Sequence, residues 1–148
     1  MRFHVRLVTV AATAVATGLL LAGCGSTPAE ELEDWWSSGG KDSMKALSDT
    51  SGRVNSVYSG PNDSRVTACQ ELLTAVTKAK KLDTVPSDDA RGFLTEALTA
   101  FEHGGNECVA GAAGNNEPQA GEGIREVQKG LSRLASVMAM IRKDLEAE

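Results

Sequence analysis

The chain predicts an all-α fold, an antiparallel helical bundle of about four helices, and three observations carry that expectation. Ile124, Val127, Leu131, Leu134, Met138, Ile141 and Leu145 recur at alternating spacings of three and four, the 3.5-residue period of a bundle or coiled-coil seam. Three further segments place apolar side chains on one helical face, and no convincing strand pattern is present. The links between them are short and rich in Gly, Ser and Pro, which suits antiparallel neighbours. Aromatic residues make up only 4% of the 148 residues, so the core is expected to be aliphatic and alanine-rich.

The N-terminus reads differently from the rest. Arg2 and Arg6 precede an apolar run from Leu7 to Leu21, and Leu21-Ala22-Gly23-Cys24 closes it. The run of 15 residues is shorter than the roughly 20 a bilayer-crossing helix needs. Its basic start and small-residue end suit a cleaved signal. A cysteine directly after Leu-Ala-Gly resembles the lipobox of bacterial lipoproteins. With its Ala-, Gly- and Val-rich composition, the chain looks like the small lipoproteins of high-GC Gram-positive bacteria. The resemblance implies that residues 1–23 are removed as a signal peptide and that Cys24 becomes an N-terminus carrying lipid such as palmitate. The protein would then sit on the extracytoplasmic face of the cell membrane. It implies residues 24–29 as a lipidated tether and 30–148 as the bundle domain, about the size of one typical domain.

Lipidation would also resolve the cysteine count. The chain has three, Cys24, Cys69 and Cys108, and an odd number in an exported protein otherwise leaves one thiol over. With Cys24 acylated, Cys69 and Cys108 are left as the pair. Outside the cytoplasm that pair is expected as a disulfide, closing a loop of about 40 residues worth roughly 4 kcal/mol; two separate buried thiols are the alternative.

Taken in order, Gly25 to Ala29 forms a polar leash, so that Cys24–Ala29 reaches about 20 Å at roughly 3.5 Å per extended residue. Glu30 to Trp36 makes about two helical turns with acids at the start, where the helix dipole favours them. Ser37-Ser38-Gly39-Gly40 interrupts or bends the helix. Met44, Leu47, Ser51, Val54 and Tyr58 then share one face. Ser59 to Asn62 is a turn, with Asp63 or Ser64 as N-cap. The next helix spans about Ser64 to Leu82, with Val66, Cys69, Leu72, Leu73, Val76 and Ala79 as its stripe and Lys78, Lys80 and Lys81 at its end. Ser87 is expected to cap a third helix carrying Ala90, Phe93, Leu94, Ala97, Leu98 and Phe101. Gly104-Gly105 should end or loosen it. The glycine-rich stretch 110–123 is expected to be a mobile loop. The heptad helix from Ile124 follows, and its seam is expected to pack inside the chain, giving a monomer.

Composition narrows the function classes. The net charge of −5 falls by two more if Arg2 and Arg6 are removed, and so acidic a domain repels phosphate backbones. Nucleic acid is therefore excluded as a partner. Trp35-Trp36 is the most conspicuous pair outside the leader. Its rings suit a membrane interface, a partner-binding hot spot or the open end of the bundle, and adjacent helical residues diverge enough for one to be core and the other exposed. Ser38-Gly39-Gly40-Lys41 has the S-x-x-K spacing of serine acyl enzymes without the other motifs of that class, and reads as a turn. His103 lacks the further ligands of a metal site and a serine partner for a catalytic triad. Glu30-Glu31, Asp88-Asp89 and Glu146/Glu148 fall at helix ends as solvated, dipole-matching charges. Nothing among these points to an enzyme or a cofactor. The expectation is a lipid-anchored envelope protein with a non-enzymatic interaction or scaffolding role, touching the membrane through Cys24 and an envelope protein through its surface. A small-molecule or lipid carrier with a pocket between the helices, drawing on Met138, Met140 and alanine- and glycine-lined contacts, is the alternative.

Overall fold

The computed structural model describes residues 26–146. They form five α-helices and, among the described residues, no strand: α1 (Pro28–Trp35), α2 (Lys41–Ser56), α3 (Asn62–Ala79), α4 (Asp88–Ala113) and α5 (Glu117–Glu146). Helices α2 to α5 are the expected bundle. Each packs on its neighbour in sequence, and α2 closes the ring against α5. The signal segment, Cys24 and Glu148 lie outside the described residues.

Helix α1 starts two residues before the expected end of the tether. Thr27 caps it: the hydroxyl accepts from Glu30 N at 3.2 Å, and the Glu30 carboxylate accepts from Thr27 N at 2.7 Å. This reciprocal capping box satisfies donors that a helix start otherwise leaves orphaned. Pro28 follows in the first turn, where a missing N–H costs nothing. The expected bend at Ser37–Gly40 is a single wide turn, Trp36–Gly40, with Gly39 at φ 138°, a conformation that only glycine adopts freely.

The core contains Leu32, Met44, Leu47, Val54, Leu72, Val76, Phe101, Ile124, Val127, Leu134 and Ile141, each at most 2% exposed. In the heptad seam of α5, Leu131, Met138 and Leu145 are only half-buried. Tyr58 departs from its expected face: α2 ends at Ser56, and the side chain is 45% exposed. Helix α3 begins at Asn62 behind Pro61, with no side-chain cap from Asp63 or Ser64. Ser87 does precede α4, yet its hydroxyl donates to Asp144 of α5 (2.9 Å) instead of capping.

The main correction concerns residues 104–123. Gly104-Gly105 does not end a helix, and 110–123 is not a loop. Helix α4 continues to Ala113, a turn of three residues follows, and α5 starts at Glu117. The glycines are contact surfaces. A Cβ on Gly104 would lie 2.6 Å from Gly123 O and 2.8 Å from Val127 N, and one on Gly130 would lie 2.7 Å from the Phe101 ring. Gly111 meets the backbone of Ala120 in the same way. Helices α4 and α5 therefore approach backbone to backbone, where larger side chains would hold them 8–10 Å apart. The loss of propensity at each glycine, about 1 kcal/mol, is offset by dispersion contacts along the seam.

Cys69 of α3 and Cys108 of α4 form the expected disulfide, with Cα atoms 6.3 Å apart and both residues fully buried. It joins the two helices at mid-bundle. Nearby, Gly105 gives Leu73 room to seat, since a Cβ there would come within 2.9 Å of the leucine.

Candidate functional site

Helix α4 is fastened on two sides, to α5 by the glycine seam and to α3 by the disulfide. Between the C-terminal end of α3 and the N-terminal half of α4 lies a cleft of about 360 Å3. The loop from Lys80 to Ser87 crosses this end of the bundle, and Leu82 and Val85 from it join the cleft wall.

Polarity changes with depth. Met44, Ala79, Val85 and Trp35 are buried, and Leu82, Leu94 and Leu98 are half-buried above them. The exposed rim carries Lys80, Asp83, Thr84, Arg91, Thr95 and Thr99. Lys80 Nζ bonds Glu102 at 2.5 Å, with both side chains nearly half exposed. Arg91 pairs with Asp88 at 2.9 Å, and its Nε and Nη2 donate to the Val85 carbonyl at 3.3 Å. Exposed pairs of this kind contribute little on their own.

Trp35 is the inner wall. It is 7% exposed, and its Nε1 donates to the backbone carbonyl of Asp83 at 2.7 Å. Gly40 admits the ring, because a Cβ there would lie 2.5 Å from Cζ3. Of the readings open for the tryptophan pair, Trp35 follows the one that covers the end of the bundle. Trp36, 6.4 Å away between ring centroids, is half-buried against the core.

The other candidates are placed separately. Ser38 Oγ donates to Trp35 O at 3.2 Å within the wide turn, and Lys41 is exposed at the start of α2. His103 and the acids Glu30, Glu31, Asp88, Asp89 and Glu146 are exposed. Among the described residues no cluster of three or more His, Cys, Asp or Glu side chains is arranged to hold a metal. No described helix is long and apolar enough to cross a membrane. The alanine and glycine contacts expected to line a carrier pocket are instead the close α4–α5 seam. Met138 lines a smaller cleft of about 280 Å3 between α2 and α5.

Sequence reasoning offered a pocket between the helices but missed the residues that line the α3–α4 cleft. Its wall residues Leu94 and Leu98 stand four apart and read as ordinary core positions. The available signal was the surplus: α4 carries Phe93, Leu94 and Leu98 beside the already sufficient stripe Ala90, Ala97 and Phe101. Arg65 was also missed. It is buried in α3 and reaches Glu117, the first residue of α5, through both terminal nitrogens at 2.7 and 2.5 Å.

No family model, curated protein or solved structure matches the chain.

Proposed function

We propose that this is a lipid-anchored protein of the cell envelope, held at the outer face of the membrane through Cys24, with a non-enzymatic binding or scaffolding role. The observation that supports it is Leu21-Ala22-Gly23-Cys24 directly behind an apolar run, and the place of α1 bears on how a chain so anchored would be oriented. The first residues of α1, Pro28 and Ala29, adjoin Pro86, Ser87 and Asp144, at the end of the bundle that holds the cleft. From Cys24 to the capping residue Thr27 is four residues, or about 14 Å of extended chain. A lipid on Cys24 would hold the cleft end toward the bilayer and leave Tyr58 and the α4–α5 turn pointing away.

Fractionation tests the anchor. The full chain should be retained with membranes and released by detergent, and Cys24→Ala should move it to the soluble fraction. Retention of the variant would contradict lipid anchoring. In vivo crosslinking from Tyr58 and from the α4–α5 turn should capture a defined envelope protein if the role is scaffolding.

The cleft favours a second reading, a carrier of an apolar small molecule. Its volume lies at the lower end of the ligand-pocket range of about 300–1,000 Å3. Its depth is apolar and its rim polar, the usual division between affinity and orientation.

A further inference from the structure

We infer that the surface between the end of α2 and the first half of α5 binds an N-acetylated hexosamine glycan, with a pyranose ring against Tyr58 and an acetamido group on the Asn55–Gln128 amide pair. The inference rests on the interaction role proposed above and names the partner class for this surface.

Two rows of residues meet here. Asn55 lies in the last turn of α2, and Tyr58 in the bend that follows, where its N–H donates to Asn55 O at 3.3 Å. Gly121, Arg125 and Gln128 stand four and three apart on α5 and so share one face. Gln128 Nε2 donates to Asn55 Oδ1 at 2.6 Å and joins the rows. Tyr58 Oη and Arg125 Nη1 both lie 3.7 Å from the point a Cβ on Gly121 would occupy. The tyrosine therefore reaches across to the α5 backbone, yet it is 45% exposed.

The chemistry left open selects the partner. Among the described residues Tyr58 is the one exposed large apolar side chain. A stable protein interface covers about 800 Å2 on each side around an apolar core, and a single ring does not furnish such a core. Arg125 is paired with Glu122, so the surface carries no unbalanced charge to hold an anion. What remains is an aromatic ring beside neutral amides. The axial C–H groups on the broad side of a pyranose carry partial positive charge and match the negative face of such a ring. Asn55 and Gln128 are exposed and spend one acceptor and one donor on each other. Each side-chain amide carries both an oxygen acceptor and an NH2 donor, so Asn55 Nδ2 and Gln128 Oε1 are left to face a ligand. One donor and one acceptor complement the C=O and N–H of an acetamido group. A neutral glycan also meets no repulsion from a chain of net charge −5.

Isothermal titration of the full chain, in a non-ionic detergent without a sugar headgroup, tests the site. The probes are chitotetraose, an N-acetylglucosamine tetramer, and cellotetraose, which has hydroxyls in place of the acetamido groups. Chitotetraose should bind saturably and at least about tenfold more tightly than cellotetraose. Tyr58→Ala should weaken that binding at least about tenfold, and Tyr58→Phe, which keeps the ring, should retain most of it. Asn55→Asp keeps the acceptor for Gln128 and removes the Nδ2 donor, so it should erase the preference for chitotetraose. Both positions are exposed, and circular dichroism of each variant should match that of the parent chain. Equal binding of the two tetramers would overturn the N-acetylated glycan. Binding of neither, or binding unchanged in Tyr58→Ala, would overturn the site, and a protein adduct from a photocrosslinker at position 58 would then assign this surface to a protein. None of these outcomes alters the fractionation of Cys24→Ala, so the anchor and the glycan site fail separately.

Discussion

Arg65 and Glu117 join the first turn of α3 to the first residue of α5 through a two-point ion pair. The arginine side chain is 8% exposed and the carboxylate 64%, so the pair draws a buried cation toward a solvated anion. The hydrogen bonds from Arg65 are the main reason the Glu117 carboxyl titrates below its ordinary value of 4.5; desolvation opposes them, and the arginine's charge adds a smaller lowering. A carboxyl whose folded pKa is depressed contributes stability above its unfolded pKa and loses it as pH falls through the folded value. Glu117→Gln should therefore lower the urea midpoint at pH 7, and the gap from the parent chain should close as pH falls below about 4.5. The other carboxyls with lowered values, Glu30 and Glu122, are common to both proteins and cancel in the difference. A gap that does not change with pH would show that the pair is not the cause.

Two glycine substitutions should have opposite signs. At Gly123 an added Cβ would meet Gly104 O at 2.6 Å and the backbone of Glu107 and Cys108, none of which is a flexible side-chain end. Gly123→Ala should destabilise by about 1–3 kcal/mol, as overpacking does. At Gly52, exposed on α2, an added Cβ meets nothing within 4 Å. Gly52→Ala should stabilise by about 0.5–1 kcal/mol. Denaturant unfolding of the two variants measures both, and a neutral Gly123→Ala would contradict the close α4–α5 seam.

These glycines also explain which parts of the fold were legible. The α5 seam was readable because Ile124, Val127, Leu134 and Ile141 announce a period through large apolar side chains. Residues 104–123 were not, because glycine signals a break by local propensity and a contact only through a partner helix. The evidence lay in spacing: Gly104, Cys108 and Gly111 stand four and three apart, and Ala120, Gly123, Val127 and Gly130 stand three, four and three apart. Small residues at helical spacing on two segments mark a close crossing. The disulfide was foreseen by way of Cys24. The lining of the cleft was not, since it is assembled from α1, α2, α3, the loop after α3 and α4, which no single segment encodes.

Removing that staple should be costly. Cys69→Ala with Cys108→Ala frees a loop with a sequence separation of 39 and should lower stability by about 2–4 kcal/mol. Unchanged unfolding under reducing and oxidising conditions would contradict a formed bridge in the parent chain.

The N-terminal helix should be separable from the bundle in its effects. Thr27→Ala removes the capping hydroxyl and should weaken α1 by about 1 kcal/mol. Trp35→Phe removes the bond to the Asp83 carbonyl, worth about 1 kcal/mol net. In hydrogen exchange, Thr27→Ala should speed exchange in the first turn of α1, and Trp35→Phe should speed it in the loop around Asp83. Faster exchange throughout α4 and α5 in either variant would count against this division.

On the proposed reading, a lipid on Cys24 would decide where the cleft sits. The direct measurement is the mass of the N-terminal peptide of the protein recovered from cell membranes. The account predicts a chain that begins at Cys24 and carries a lipid on that residue. A chain that retains residues 1–23, or that begins elsewhere with Cys24 unmodified, would contradict it.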